Sequence, residues 1–108
     1  MSKLICVPWA IPTAERRKHF DLARELFSAR ALERRELPDG YAIRFARDDL
    51  EAVARFIANE RLCCPFLQFE VRVEQDAGPL WLQMTGPQGT REVLQAELSL
   101  MNTCLCKK

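Results

Sequence analysis

Leu67-Gln68-Phe69-Glu70-Val71-Arg72-Val73-Glu74, then Asp76-Ala77-Gly78-Pro79, then Leu80-Trp81-Leu82-Gln83-Met84-Thr85 is the stretch on which the fold turns. Apolar and polar residues alternate strictly on both sides of a Gly-Pro turn. A period of two sends Leu67, Phe69, Val71 and Val73 to one side of a sheet and Gln68, Glu70, Arg72 and Glu74 to the other, so the segment reads as a hairpin with one buried face. Toward the N-terminus, Tyr41, Ile43 and Phe45 alternate with Ala42 and Arg44. They follow Leu37-Pro38-Asp39-Gly40, which has Pro and Gly where a type I turn favours them. Leu4–Trp9 adds a short apolar run, read as a further, N-terminal strand.

Between these runs the apolar spacing changes to that of helices. Thr13 is a candidate N-cap with Glu15 in the first turn, and Phe20, Ala23, Phe27 and Ala31 form a stripe that predicts a helix to about Leu32. Asp48 or Asp49 can cap a second helix carrying Leu50, Val53, Ile57 and Cys64. Pro65 disfavours a helical residue before it and should end that helix. Thr90 opens a third, with Leu94, Leu98 and Met101 as its stripe. The order is β-α-β-α-β-β-α. One-faced strands and amphipathic helices predict a two-layer α+β sandwich: a mostly antiparallel four-stranded sheet with the helices on its apolar face. Residues 1–101 form a single domain in this reading, and 102–108 a flexible Cys-x-Cys tail.

The 108 residues, 48% hydrophobic and 29% charged, suit one soluble globular domain with its own core. A net charge of +1 supplies no field for nucleic acid or an anionic membrane, so neither is expected as a partner. The apolar run at the start is too short for a signal sequence, and no stretch approaches the roughly 20 apolar residues of a membrane helix. The expected compartment is the cytoplasm, where the five cysteines would be reduced thiols rather than a disulfide framework.

Chemistry concentrates in Glu60-Arg61-Leu62-Cys63-Cys64-Pro65-Phe66. On helical spacing Glu60 reaches the side from which both sulfurs emerge. A helix C-terminus and a carboxylate both disfavour a free thiolate, so the site suits a metal that displaces the proton better than a permanently activated nucleophile. Adjacent Cα atoms lie about 3.8 Å apart, short of the roughly 4.4 Å an ordinary disulfide needs, which leaves a Cys63–Cys64 bond strained. Two soft thiolates suit mercury, copper(I), arsenite or zinc.

A third thiol would come from Cys6, brought alongside by a central first strand, or from Cys104 and Cys106 in the tail, where Lys107 and Lys108 favour thiolate. The plainer reading of Cys6 taken alone is core packing. The candidate ligand set is thus Cys63, Cys64, Cys6, Cys104, Cys106 and Glu60. His19, the one histidine, reads as a partly exposed helical residue. Thr85-Gly86-Pro87-Gln88-Gly89-Thr90 reads as a strand-to-helix turn, because it lacks the lysine of a phosphate-binding loop. The basic runs Arg16-Arg17-Lys18 and Arg34-Arg35 are interleaved with acids, as on a solvated helix face. Trp81, on the polar side of its strand, allows a homodimer interface.

Cys-Cys-Pro-Phe before an alternating hairpin, Thr-Gly-Pro-x-Gly-Thr after it, Tyr41–Phe45 behind its turn, and Cys6 near the start resemble a family of small bacterial proteins found near metal- and mercury-resistance genes. The likeness covers most of the chain, with the Cys104/Cys106 tail outside the usual pattern. It implies soft-metal handling and brings no catalytic mechanism. The leading reading is a cytoplasmic protein that binds or passes on a soft metal ion, with a metal-transfer protein as a candidate partner. The alternatives are a thiol redox enzyme using Cys63 and Cys64, and a dimeric interaction module with core cysteines.

Overall fold

A computed structural model describes residues 4–103, with side chains described through residue 98. The architecture is the expected α+β class: a four-stranded antiparallel sheet, packed on one face by three helices. Helix α1 (Thr13–Glu25) continues through one wide turn at Leu26–Arg30. Strands β1 (Glu33–Leu37) and β2 (Gly40–Phe45) form a hairpin, and α2 (Leu50–Cys63) follows. A second hairpin, β3 (Gln68–Val73) and β4 (Leu80–Thr85), leads into α3 (Thr90–Thr103). The sheet order is β1-β2-β4-β3, so the two hairpins join through their later strands.

Register explains the core. Tyr41, Met84 and Phe69 lie in one row across β2, β4 and β3; Ile43, Leu82 and Val71 form the next, and Phe45, Leu80 and Val73 the third. Phe45, Ile43, Leu80 and Leu82 are fully buried against Ala23, Leu26 and Phe27 of the first helix, Val53 and Phe56 of α2, and Leu94 and Leu98 of α3. Gly40 permits the close approach of β2 to β4, because a Cβ there would run into the Met84 carbonyl. The helices do not reach the far edge: Val71 and Val73, on the same sheet face, stay 40% and 56% exposed.

Two expectations are corrected. Leu4–Trp9 is not a strand; it is extended chain running into a short 3₁₀ turn at Pro8–Ala10. Pro8 has no N–H for a ladder, and the Val7 N–H is already spent on the Cys63 carbonyl at 2.6 Å, so this segment docks on the end of α2. The missing strand is instead Glu33–Leu37, whose charges read as a helix face. It carries no apolar alternation because it is an edge strand, where charged side chains are tolerated and discourage further pairing. Its partners hold it: Glu33 accepts from Arg35 at 2.7 Å and from Arg44 at 3.1 Å, and the Arg35 guanidinium lies 4.5 Å over the Trp81 ring. Trp81 is thereby partly covered within its own chain.

The expected caps also differ in detail. Asp49 precedes α2 but makes no side-chain cap; its carboxylate takes a 2.6 Å bond from Arg30, tying the end of the first helix to the start of the second. Thr90 begins α3 with its hydroxyl donating to the Pro87 carbonyl at 2.6 Å. Among the described residues no helix is long and apolar enough to cross a membrane.

Candidate thiol and metal centre

The last turn of α2 supplies most of the site. Val53, Phe56, Glu60 and Cys63 share one stripe and are all buried, so the apolar periodicity that docks the helix also carries a carboxylate and a thiol inward. The Cys64 N–H makes the closing bond to the Glu60 carbonyl at 2.7 Å, and Cys64 then leaves helical geometry as Pro65 requires. The two neighbouring side chains are therefore not separated by a full helical step. Both stay inside, Cys63 3% and Cys64 1% exposed, with their sulfurs 3.8 Å apart.

Cys6 completes the cluster. The bond from Val7 to Cys63 lays the N-terminal segment across the end of α2, and the sulfurs of Cys6, Cys63 and Cys64 all lie within 4.8 Å of one another. Cys6 and Cys64 are joined as a disulfide with Cα atoms 4.4 Å apart, and Cys63 is the free thiol. This corrects the expectation of thiols alone. The docked segment, rather than a strand, presents a non-adjacent partner whose backbone can approach Cys64, so no vicinal bond is needed. Cys104 and Cys106, the other candidate ligands, lie outside the described residues.

Two acids border the sulfurs. Glu60 Oε2 lies 3.4 Å from Cys64 Sγ, and Glu97 Oε2, from α3, lies 3.4 Å from Cys6 Sγ. Glu60, Cys64 and Glu97 form a second group whose ligating atoms are within 4.8 Å of each other. Burial, and then the charge of Glu60, push the Glu97 carboxyl up to about 7. Burial, followed by Glu60 and Glu97, pushes the Cys63 thiol up to about 11, with the hydrogen bond from Val7 acting weakly against them. Burial first and the carboxylates second favour the protonated thiol of Cys63, the carboxylate effect being the part expected from Glu60 in the sequence.

His19 departs from its expected exposure. It is 2% exposed, its Nε2 lies 2.7 Å from Glu60 Oε1, and its ring stacks on Phe56 with centroids 5.4 Å apart. The contact fixes one Glu60 oxygen and leaves the other toward Cys64. The sequence held a signal for this: His19 lies four residues before Ala23 and seven before Leu26, on the buried stripe. Glu97 carried a similar one, three residues after Leu94 and one before Leu98, both of which are buried.

The arrangement is a cysteine cluster, buried at the vicinal pair and half-buried at Cys6, that can hold a metal ion when reduced and that can close as a disulfide. No protein-family model, curated protein or solved structure matches the chain.

Proposed function

We propose that the reduced protein binds a soft metal or metalloid ion through Cys6, Cys63 and Cys64 and passes it on by thiolate exchange. The observation that carries this reading is the convergence of three sulfurs from two segments far apart in sequence. A disulfide accounts for two of these sulfurs and leaves the third, Cys63, beside them as a free thiol. Soft thiolates select thiophilic ions over magnesium or calcium. In this reading Glu60, held by His19, orients Cys64 from behind, and the Cys6–Cys64 disulfide is the ion-free, closed state. Cytoplasmic handling of such an ion, with a metal-transfer protein as recipient, follows from the family resemblance and from the need for reduced thiols.

The test is native mass spectrometry of the fully reduced chain titrated with Hg(II), Cu(I), As(III) and Zn(II), beside Cys63→Ser/Cys64→Ser and the disulfide form. We expect a stoichiometric ion on the reduced wild type only. Equal retention by the double variant, with its fold intact by circular dichroism, would sink the reading.

The Cys6–Cys64 disulfide itself favours a second reading, thiol–disulfide exchange. It predicts one reversible two-electron couple that drives the oxidation state of a client dithiol. Reduced chain that binds no ion, yet shows that couple, would move the assignment to redox work.

A further inference from the structure

Coordination number and charge narrow the cargo. Among the described residues the sulfur cluster offers three ligands, and the polar groups beside it are two carboxyls, one of them already facing a histidine. His19 Nε2 faces Glu60, while Glu60 and Glu97 are carboxyls grouped with Cys64. Zinc in a structural site takes four ligands in a tetrahedron, and among the described residues the fourth that the chain offers beside the sulfurs is a carboxylate. A divalent ion on three thiolates already leaves a net negative charge. A fourth anionic ligand would add to it, beside Cys63 and Cys64, which are 3% and 1% exposed, and the half-buried Cys6. Buried uncompensated charge is costly, and among the described residues no lysine or arginine forms an ion pair with Glu60 or Glu97.

Resting on the thiolate reading above, we infer that the site's cargo is a trivalent metalloid hydroxide, arsenous or antimonous acid, held by all three of Cys6, Cys63 and Cys64. Such a centre makes three bonds in a pyramid and fills the fourth direction with its own lone pair, so it asks for nothing beyond three sulfurs on one side. Its adduct is neutral. The exchange balances without a redox change: three As–O bonds break, three As–S bonds form, and each thiol proton leaves with a hydroxide as water. Arsenic stays trivalent throughout. The step starts from the reduced cluster, so a dithiol must first open the Cys6–Cys64 bond, becoming a disulfide itself as it supplies two electrons and two protons. A linear two-thiolate ion such as Hg(II) also gives a neutral adduct but leaves one of the three sulfurs unused, which makes the number of thiols consumed the distinguishing quantity.

The experiment uses the full chain carrying Cys104→Ser/Cys106→Ser, reduced and freed of reductant, with sodium arsenite and Cd(II) as probes and native mass spectrometry as the readout. The expected product is one arsenic per chain with the loss of three hydrogens. The arsenic should be lost on each of the single changes Cys6→Ser, Cys63→Ser and Cys64→Ser. Thiol counting on the loaded wild-type cluster, which needs no further variant, should find Cys6, Cys63 and Cys64 all unreactive. An adduct that has lost only two hydrogens, or that survives one of the single changes, overturns the three-thiol assignment. Cadmium retained where arsenite is not overturns the metalloid while leaving ion binding in place. Neither probe retained by folded, reduced protein overturns both.

Discussion

The inner parts of the three apolar rows and the vicinal thiols in the corner at the end of α2 are equally buried, and they are built on opposite principles. In the rows, Phe45, Ile43, Leu80 and Leu82 meet apolar neighbours, and stability comes from area removed from water. In the corner, His19, Glu60, Cys63 and Cys64 are about as far from solvent, but His19 pairs with Glu60 across two helices and Cys64 is bonded to the N-terminal segment. The rows tolerate any residues of suitable shape. The corner depends on specific mates, because an unpaired buried group costs its desolvation, a cost it still bears at His19 Nδ1, which has no hydrogen-bond partner among the described residues. That dependence is hard to explain as packing and easy to explain as chemistry.

The largest effect should come from breaking the rows. Phe45 is fully buried and meets Phe27 edge-on with centroids 5.9 Å apart, so Phe45→Ala should cost about 3–5 kcal/mol in urea unfolding. A loss below about 1 kcal/mol would mean the rows are not the stabilising core. The corner should cost no more than this when its covalent tie is cut. The Cys6–Cys64 bond spans 58 residues of sequence, and the chain-entropy model gives such a loop about 4 kcal/mol as an upper figure. Unfolding of the oxidised and reduced forms, compared in one buffer, measures the difference; a more stable reduced form would show that the disulfide opposes the fold.

The same contrast explains what could be read from the chain alone. The β3–β4 hairpin and β2 were legible because a period of two is a local signal, and every alternate residue reports on the same face. The helices were legible for the same reason at their own period. Strand β1 was not: Glu33-Arg34-Arg35-Glu36 has no apolar alternation, and it becomes a strand only because β2 offers it an edge. Leu4–Trp9 has strand-like composition, yet its backbone is claimed by Cys63. At the site, Cys63, Cys64 and Glu60 were visible as one helix end. Cys6 was a candidate whose arrival depends on that docking, and no spacing encodes it. His19 and Glu97 sit on buried stripes, against the rule by which His19 reads as partly exposed, that ionisable residues ordinarily face solvent. His19 is matched by Glu60, whereas burial and Glu60 both disfavour the charged form of Glu97.

The sharpest test of the corner is the pH dependence it imposes. Glu97 has its carboxyl raised from 4.5 to about 7 by burial and by Glu60. The folded chain therefore holds this proton more tightly than the unfolded chain does. Between pH 4.5 and about 7 the native state binds more protons, so stability falls as pH rises through that window and levels above it. The carboxyl is only partly buried, so solvent screening discounts the effect to about 1–2 kcal/mol. The oxidised form is the right material, because Cys6 and Cys64 then do not titrate and Cys63, raised to about 11, stays protonated throughout. Glu33, lowered by Arg35 and Arg44, acts with the opposite sign and below 4.5, outside the window. Urea midpoints across this range should fall for the wild type and flatten for Glu97→Gln, which keeps the shape of the side chain but has no proton to lose. Identical slopes in the two proteins would show that α3 does not press this carboxyl against Glu60 and the sulfurs.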